Sequence, residues 1–244
     1  MQKRIKIIFS YDGSQFFGSQ IQNKSKTKTV MGTFQKAINR LDICDTAIAS
    51  GRTDRGVHAL NQVCHIDIPK HFFKLDRLKE ALNRHLLPQI FIKDIRFVKS
   101  DFHARFSAKK RLYRYIISHY TYNPMQANYV AFMPKLNKET LNNSLEEFKG
   151  VHNFKHFKKN GSKTHSDTRT IYKAFSFSYK KYTVIDFLGD SFLRSQIRLM
   201  CSFLFKIDKG ELEIKDLKEQ LNLEKKIHLP PAPAQGLYLS RIYY

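Results

Sequence analysis

The chain has 244 residues, 42% of them hydrophobic and 13% aromatic, and its 43 Lys and Arg outnumber 21 Asp and Glu for a formal charge of +22. Apolar content on this scale supports one large core or two modest ones, and a charge that costs so much self-repulsion points to a polyanionic partner, above all nucleic acid. Three well-separated cysteines without a CxxC pair (Cys44, Cys64 and Cys201), an N-terminus that alternates charge with apolar residues, and no apolar run of membrane-spanning length argue against a disulfide framework, a thiolate metal site, a secretory leader and a membrane span, so a soluble cytoplasmic protein is expected.

Ile5, Ile7, Phe9 and Tyr11 alternate along an opening strand, and Tyr11-Asp12-Gly13-Ser14 supplies turn chemistry. Met31, Phe34, Ile38 and Leu41 then recur at helical spacing, with Thr29 placed to cap the helix. A short strand over residues 46–50 leads into a loop, and Cys64, Ile66 and Ile68 alternate on the strand that leaves it before Pro69. Leu75, Leu78, Leu82 and Leu86 form a second helical stripe, and residues 91–99 read as another strand. The order β-α-β-β-α-β is that of ferredoxin-like and RNA-recognition modules.

Residues 101–110, DFHARFSAKK, have no period and are expected to cross between domains, dividing the chain into 1–104 and 105–244. The first part holds 18 basic and 9 acidic residues and the second 25 and 12, so the positive excess belongs to both and is not a tail. A strand is expected over 111–119 and a helix over 137–149, with Leu141, Leu145 and Phe148 on its apolar face. Residues 150–168 show no period. From Lys149 onward, Lys155, Lys158, Lys159 and Lys163 are interleaved with His152, His156, His165, Phe154 and Phe157, the composition of a phosphate-contacting segment. Strands over 170–179 and 182–188 precede a long helix expected over 191–207, on which Arg194 and Arg198 would sit four apart beside an apolar stripe of Leu193, Ile197, Met200 and Leu204. A short helix, the PPAPAQG turn and a last strand over 237–244 complete a second α/β unit. The expected class is α/β (α+β), two such domains with mainly antiparallel sheets.

Within the first loop, GRTDRGVHA sets the carboxylate of Asp54 between Arg52 and Arg55. An arginine beside an acid favours its ionised form, and two glycines tighten the loop that exposes it, as a nucleophilic carboxylate in a polyanion-binding groove requires. An Asp in such a turn also commonly caps the turn with its own side chain, so the full string matters more than the residue. The pairs His58 with His65 and His152 with His156 lack a thiolate or carboxylate at ligand spacing, so no metal is expected.

GRTDRGVHALNQV resembles the GRTDxGVHA signature of the tRNA pseudouridine synthase A (TruA) family. Four further segments resemble that family in the same order: YDGSQFFGSQIQ at 11–22, DFHARFSAKKRLYRYII at 101–117, FLRSQIR at 192–198 and APAQGLYL at 232–239. The resemblance covers essentially the whole chain. It implies a pseudouridine synthase fold, isomerisation of uridine to pseudouridine at positions 38, 39 and 40 of the tRNA anticodon arm, no cofactor, and a homodimer holding one tRNA across both copies. Asp54 then matches the catalytic aspartate, with attack at C1′ or at C6 left open. Tyr113 matches an active-site tyrosine whose ring stacks on an extruded base, while Tyr115 is left as a core residue. Arg198 matches the basic residue that pairs with the aspartate in related synthases, and Arg52 the loop arginine that contacts RNA. Arg194, Lys155, Lys158 and Lys159 are candidates for phosphate contacts. Arg55 stands where the family usually has Ala and Ser19 where it usually has Trp, and RLMCSFL replaces an asparagine- and glycine-containing run after Arg198. Two other readings stay open, a non-catalytic RNA-binding protein of the same fold and a uridine isomerase for a different RNA.

Overall fold

A computed structural model describes residues 2–22, 27–43, 45–72, 74–162 and 164–244. Cys44 and Lys163 lie outside the described residues. The chain forms two compact units, Met1–Lys109 with Tyr238–Tyr244, and Lys110–Leu237.

In the first unit, β1 (Gln2–Tyr11), α1 (Val30–Asn39), β2 (Ile48–Ala49), β3 (His58–Pro69), α2 (Leu75–Leu86) and β4 (Ile90–Phe97) follow in the expected order. β1 lies antiparallel between β4 and β3, and β2 pairs antiparallel with the far edge of β3 opposite Cys64 and His65. That is the arrangement a β-α-β-β-α-β chain adopts when each helix crosses over one face. Ile5, Ile7 and Phe9 are fully buried with Phe34, Ile38, Leu78, Leu82 and Leu86, and the Phe9 and Phe34 rings are 5.1 Å apart. Each such side chain contributes about 1.5–3 kcal/mol on leaving water, which is why the 3-4 spacing of the two helical stripes decides their orientation. Thr29 caps α1 as its position suggests, accepting the Gly32 N–H at 3.2 Å.

The final strand, β10 (Leu237–Tyr243), runs parallel to β3, with Tyr238 opposite His58 and Leu239 opposite Ala59. Asn61 Nδ2 donates to Ser240 O at 2.7 Å, Lys109 N to Tyr243 O at 2.8 Å and Tyr244 Oη to Ala104 O at 2.8 Å. The compact units therefore divide at Lys109, with residues 238–244 grouped with the first.

In the second unit, β5 (Lys110–Ser118) pairs antiparallel with β9 (Tyr182–Gly189), β9 with β8 (Thr168–Tyr179) and β8 with β7 (Gly150–Asn153), while β6 (Ala131–Phe132) adds in parallel to β5. The order β5-β9-β8 repeats β1-β3-β2 of the first unit. The helices are α3 (Lys138–Glu146), α4 (Gln196–Asp208) and α5 (Ile214–Leu221). Asn137 caps α3 by accepting from the N–H groups of Glu139 and Thr140.

Two local expectations change. The aperiodic stretch after Gly150 contains β7 and a turn of 3-10 helix, Phe154–Phe157, that buries both phenylalanines. Phe157 packs against Phe148, Phe154 and Phe203, so two aromatic anchors replace a helical stripe. The long helix starts at Gln196, because Ser195 takes a left-handed conformation (φ 60°) that interrupts helical propagation. Arg194 therefore precedes α4 and does not share a helix face with Arg198.

Candidate active site

The loop of residues 50–57 between β2 and β3 is held along its length. Ser50 N donates to Val63 O at 2.8 Å, and buried Gln62 donates through Nε2 to Gly51 O at 3.0 Å. Val57 N closes the turn on Asp54 O at 3.2 Å. From the other side comes the segment that follows β1. Gly13 lies so close to the Val57–His58 backbone that a Cβ there would stand 2.1 Å from Val57 O, and its N–H donates to His58 Nδ1 at 3.0 Å. The imidazole of His58 stacks on Tyr238 with centroids 4.7 Å apart.

Thr53, the residue before Asp54, is bonded at every polar atom. Its N–H donates to Ser19 Oγ at 2.8 Å, its carbonyl accepts the Ser19 N–H at 3.1 Å, and its hydroxyl shares a 2.8 Å hydrogen bond with Tyr11 Oη. Ser19 is 2% exposed, and its own carbonyl accepts from Met31 N at the start of α1. Gly18 adopts φ +94°, and a Cβ there would lie 3.2 Å from Thr53 O and 3.7 Å from Asp54 C. Asp54 is thus carried, partly exposed, on a turn whose preceding residue cannot shift without breaking these hydrogen bonds. Arg52 is exposed, and Arg55 lays its guanidinium over the Phe17 ring at 4.2 Å. Sequence reasoning missed this clamp; its only signal was that the YDGSQFFGSQ string accompanies the Asp54 loop.

The remaining candidates belong to the second unit. Tyr113 on β5 is 8% exposed, edge-to-face with Phe192 at 5.3 Å. Tyr115, two residues on, is fully buried; its hydroxyl donates to Pro233 O at 2.9 Å, and burial pushes its phenol well above the usual tyrosine range, fitting the core role expected of it. Arg198, in the first turn of α4 and half-buried, donates through Nε to Ala232 O at 2.7 Å, while Ala232 N donates back to Arg198 O at 3.0 Å. The FLRSQIR and APAQG segments, remote in sequence, are thereby joined.

Arg194, Lys155 and Lys159 are exposed. Lys158 is not disposed like them: its ammonium lies 2.6 and 2.7 Å from the two carboxylate oxygens of Asp167. Burial tends to raise that carboxyl, but the bonds from Lys158 and Thr164 hold it below the usual carboxylate range. His65 accepts the Ala104 N–H on Nδ1 at 3.1 Å, and burial, then the charges of His103 and Arg4, push its pKa down. His152 Nε2 lies 2.8 Å from Lys149 O, and His156 Nδ1 3.1 Å from Lys225 O. Cys64 and Cys201 are buried thiols, and burial raises both pKa values. Among the described residues, no helix is long and apolar enough to cross a membrane.

Two α/β units, one offering a clamped carboxylate loop and the other a buried tyrosine strand and an arginine helix, are the setting in which the chain's relatives can be weighed. Residues 7–107 and 145–244 match the family model described as tRNA pseudouridine synthase. The tRNA pseudouridine synthase A of Campylobacter jejuni subsp. doylei is 41% identical over 241 residues, covering 99% of each chain. That of Helicobacter hepaticus is 37% identical and covers 98% of each, and that of Limosilactobacillus reuteri is 38% identical over 99% of this chain and 96% of the other. The chain belongs to the tRNA pseudouridine synthase family. A solved Cbf5-Nop10-Gar1 complex contains a chain with a TM-score of 0.39 and 12% identity, covering 96% of this chain and 48% of that one, too slight a likeness to carry an argument.

Proposed function

We propose that this protein isomerises uridine to pseudouridine in the anticodon arm of tRNA, at positions 38, 39 and 40, with Asp54 as the nucleophile. The observation that supports this most is the placement of Asp54, a carboxylate at the tip of a loop whose neighbouring residue is locked by three hydrogen bonds. A nucleophile must meet its target atom within a few tenths of an ångström, and a loop fixed in advance lowers the entropy lost on reaching that geometry.

The reaction breaks the N1–C1′ bond and forms a C5–C1′ bond, while the proton on C5 leaves and one is gained at N1, so no redox partner is required. Asp54 adds to C1′ of the sugar or to C6 of the base and is released when the new bond has formed. Tyr113 stacks on the extruded uracil and its phenol takes part in removing the C5 proton. Arg198 is the basic residue of the reaction, and Arg52, Arg55, Arg194, Lys155, Lys158 and Lys159 meet the RNA, the exposed ones through phosphate. The two compact units are the functional domains, the first carrying the nucleophile and the second Tyr113 and Arg198. The protein works in the cytoplasm as a homodimer with one tRNA held across both copies.

Asp54→Asn decides the central assignment. The variant is expected to bind tRNA normally and to release no tritium from C5-labelled uridine; continued release means that Asp54 is not the nucleophile. Pseudouridine mapped outside the anticodon arm would point instead to a different RNA target. Light scattering that returns a monomer at working concentration overturns the dimer.

A further inference from the structure

We infer that Phe17 and Arg55 form a composite stacking plate that covers a nucleobase flanking the uridine placed at Asp54, an inference that rests on the functional reading above. Phe17 is a large apolar side chain left 49% exposed, yet its backbone is fixed: its N–H donates to Lys28 O at 2.9 Å and its carbonyl accepts from Gln22 Nε2 at 2.9 Å. The adjoining Gly18 and Ser19 lie against Thr53, Asp54 and Arg55, as the Ser19–Thr53 bonds and the close approach of Gly18 to Asp54 C and Arg55 N require. The backbone that carries the ring is therefore fixed at the surface beside the carboxylate loop.

Arg55 completes the surface. Its guanidinium centre is 4.2 Å from the ring centroid, the distance of a cation stacked on an aromatic face. A guanidinium lying over one face of the ring adds a second planar layer to the stack and presents N–H edges that suit phosphate, which a lysine could not do. Extruding a nucleotide from an RNA stack strips its neighbours of one stacking partner and leaves a base face open to water. A rigid aromatic ring backed by a cation has the chemistry to cover that face, with tolerance for any base because every base has a π surface.

The test uses the full-length Asp54→Asn protein with an anticodon stem-loop RNA carrying 2-aminopurine next to the target uridine. Stacking on Phe17 should quench the fluorophore. Adding Phe17→Leu, which keeps an apolar side chain but no π face, should weaken RNA binding about tenfold and abolish the quench, within the range of about 5- to 160-fold expected when a base loses its aromatic partner. Adding Phe17→Tyr should preserve both, and adding Arg55→Ala should weaken binding and lower the salt slope by about one. Wild-type affinity and quench with Phe17→Leu overturn the inference. If Phe17→Leu unfolds, Phe17→Met, which is also apolar and without a π face, takes its place with the same expected losses, and wild-type affinity and quench with it overturn the inference. Product formation by Asp54→Asn itself would instead refute the nucleophile, leaving the fluorescence comparison intact.

Discussion

Ser19→Ala removes one oxygen from the clamp on Thr53 and nothing else. The site is 2% exposed, the lost acceptor lies 2.8 Å from the Thr53 N–H, and the backbone bond from Ser19 N to Thr53 O survives the change. A buried donor left facing a methyl group costs about 1–3 kcal/mol, and because Thr53 is half-exposed and water can reach it, about 1–1.5 kcal/mol is expected here. If Asp54 acts from this loop, the same energy appears as a drop of about 5- to 12-fold in the single-turnover rate at saturating tRNA, with KM little changed. Denaturant unfolding reads the stability and tritium release from C5-labelled tRNA reads the rate. Tyr11→Phe removes the second side-chain bond to Thr53, and a double-mutant cycle should return a coupling of about 0.5 kcal/mol or more because both act on one residue. A Ser19→Ala protein that loses stability but keeps its rate within twofold would refute the idea that the clamp sets the position of Asp54.

Gly13→Ala forces a Cβ to within 2.1 Å of Val57 O, a backbone atom that cannot rotate away, so a loss of about 3 kcal/mol in unfolding free energy is expected; a loss below 1 kcal/mol would show that the contact relaxes. Tyr115→Phe strands the Pro233 carbonyl and should cost about 1–2 kcal/mol by thermal unfolding, an unchanged midpoint counting against the bond. His65 has a folded pKa below its unfolded value of about 6.5, so the unfolded chain gains a proton first and stability, full above that pH, is lost as pH falls towards the folded pKa. His65→Asn, whose amide oxygen replaces Nδ1 as acceptor for Ala104 N, should flatten the stability profile below pH 6.5; an unaltered slope would assign the effect elsewhere. Binding to tRNA should weaken steeply between low and moderate salt, and a flat response would contradict a phosphate-dominated interface.

Local periodicity carried most of the first unit. Strand β1, helices α1 and α2 and the exposed loop between two strands follow from alternation, 3-4 spacing and the Thr29 cap, because each depends on residues within about a dozen positions. GRTDRGVHA and its companion segments identified the family, since they carry chemistry in residue type and order. What sequence could not supply is non-local. The start of α4 depends on the left-handed conformation of Ser195, the buried anchors Phe154 and Phe157 have no period, and the parallel pairing of β10 with β3 joins residues about 180 apart. Lys158 reads like its neighbours until Asp167 is seen beside it. Asp54 is the sharpest case: the sequence by itself determined which carboxylate to examine, while only the tertiary structure brought Tyr11, Gly18 and Ser19 against its loop, because hydrogen bonds between distant segments exist only once the chain has folded back on itself.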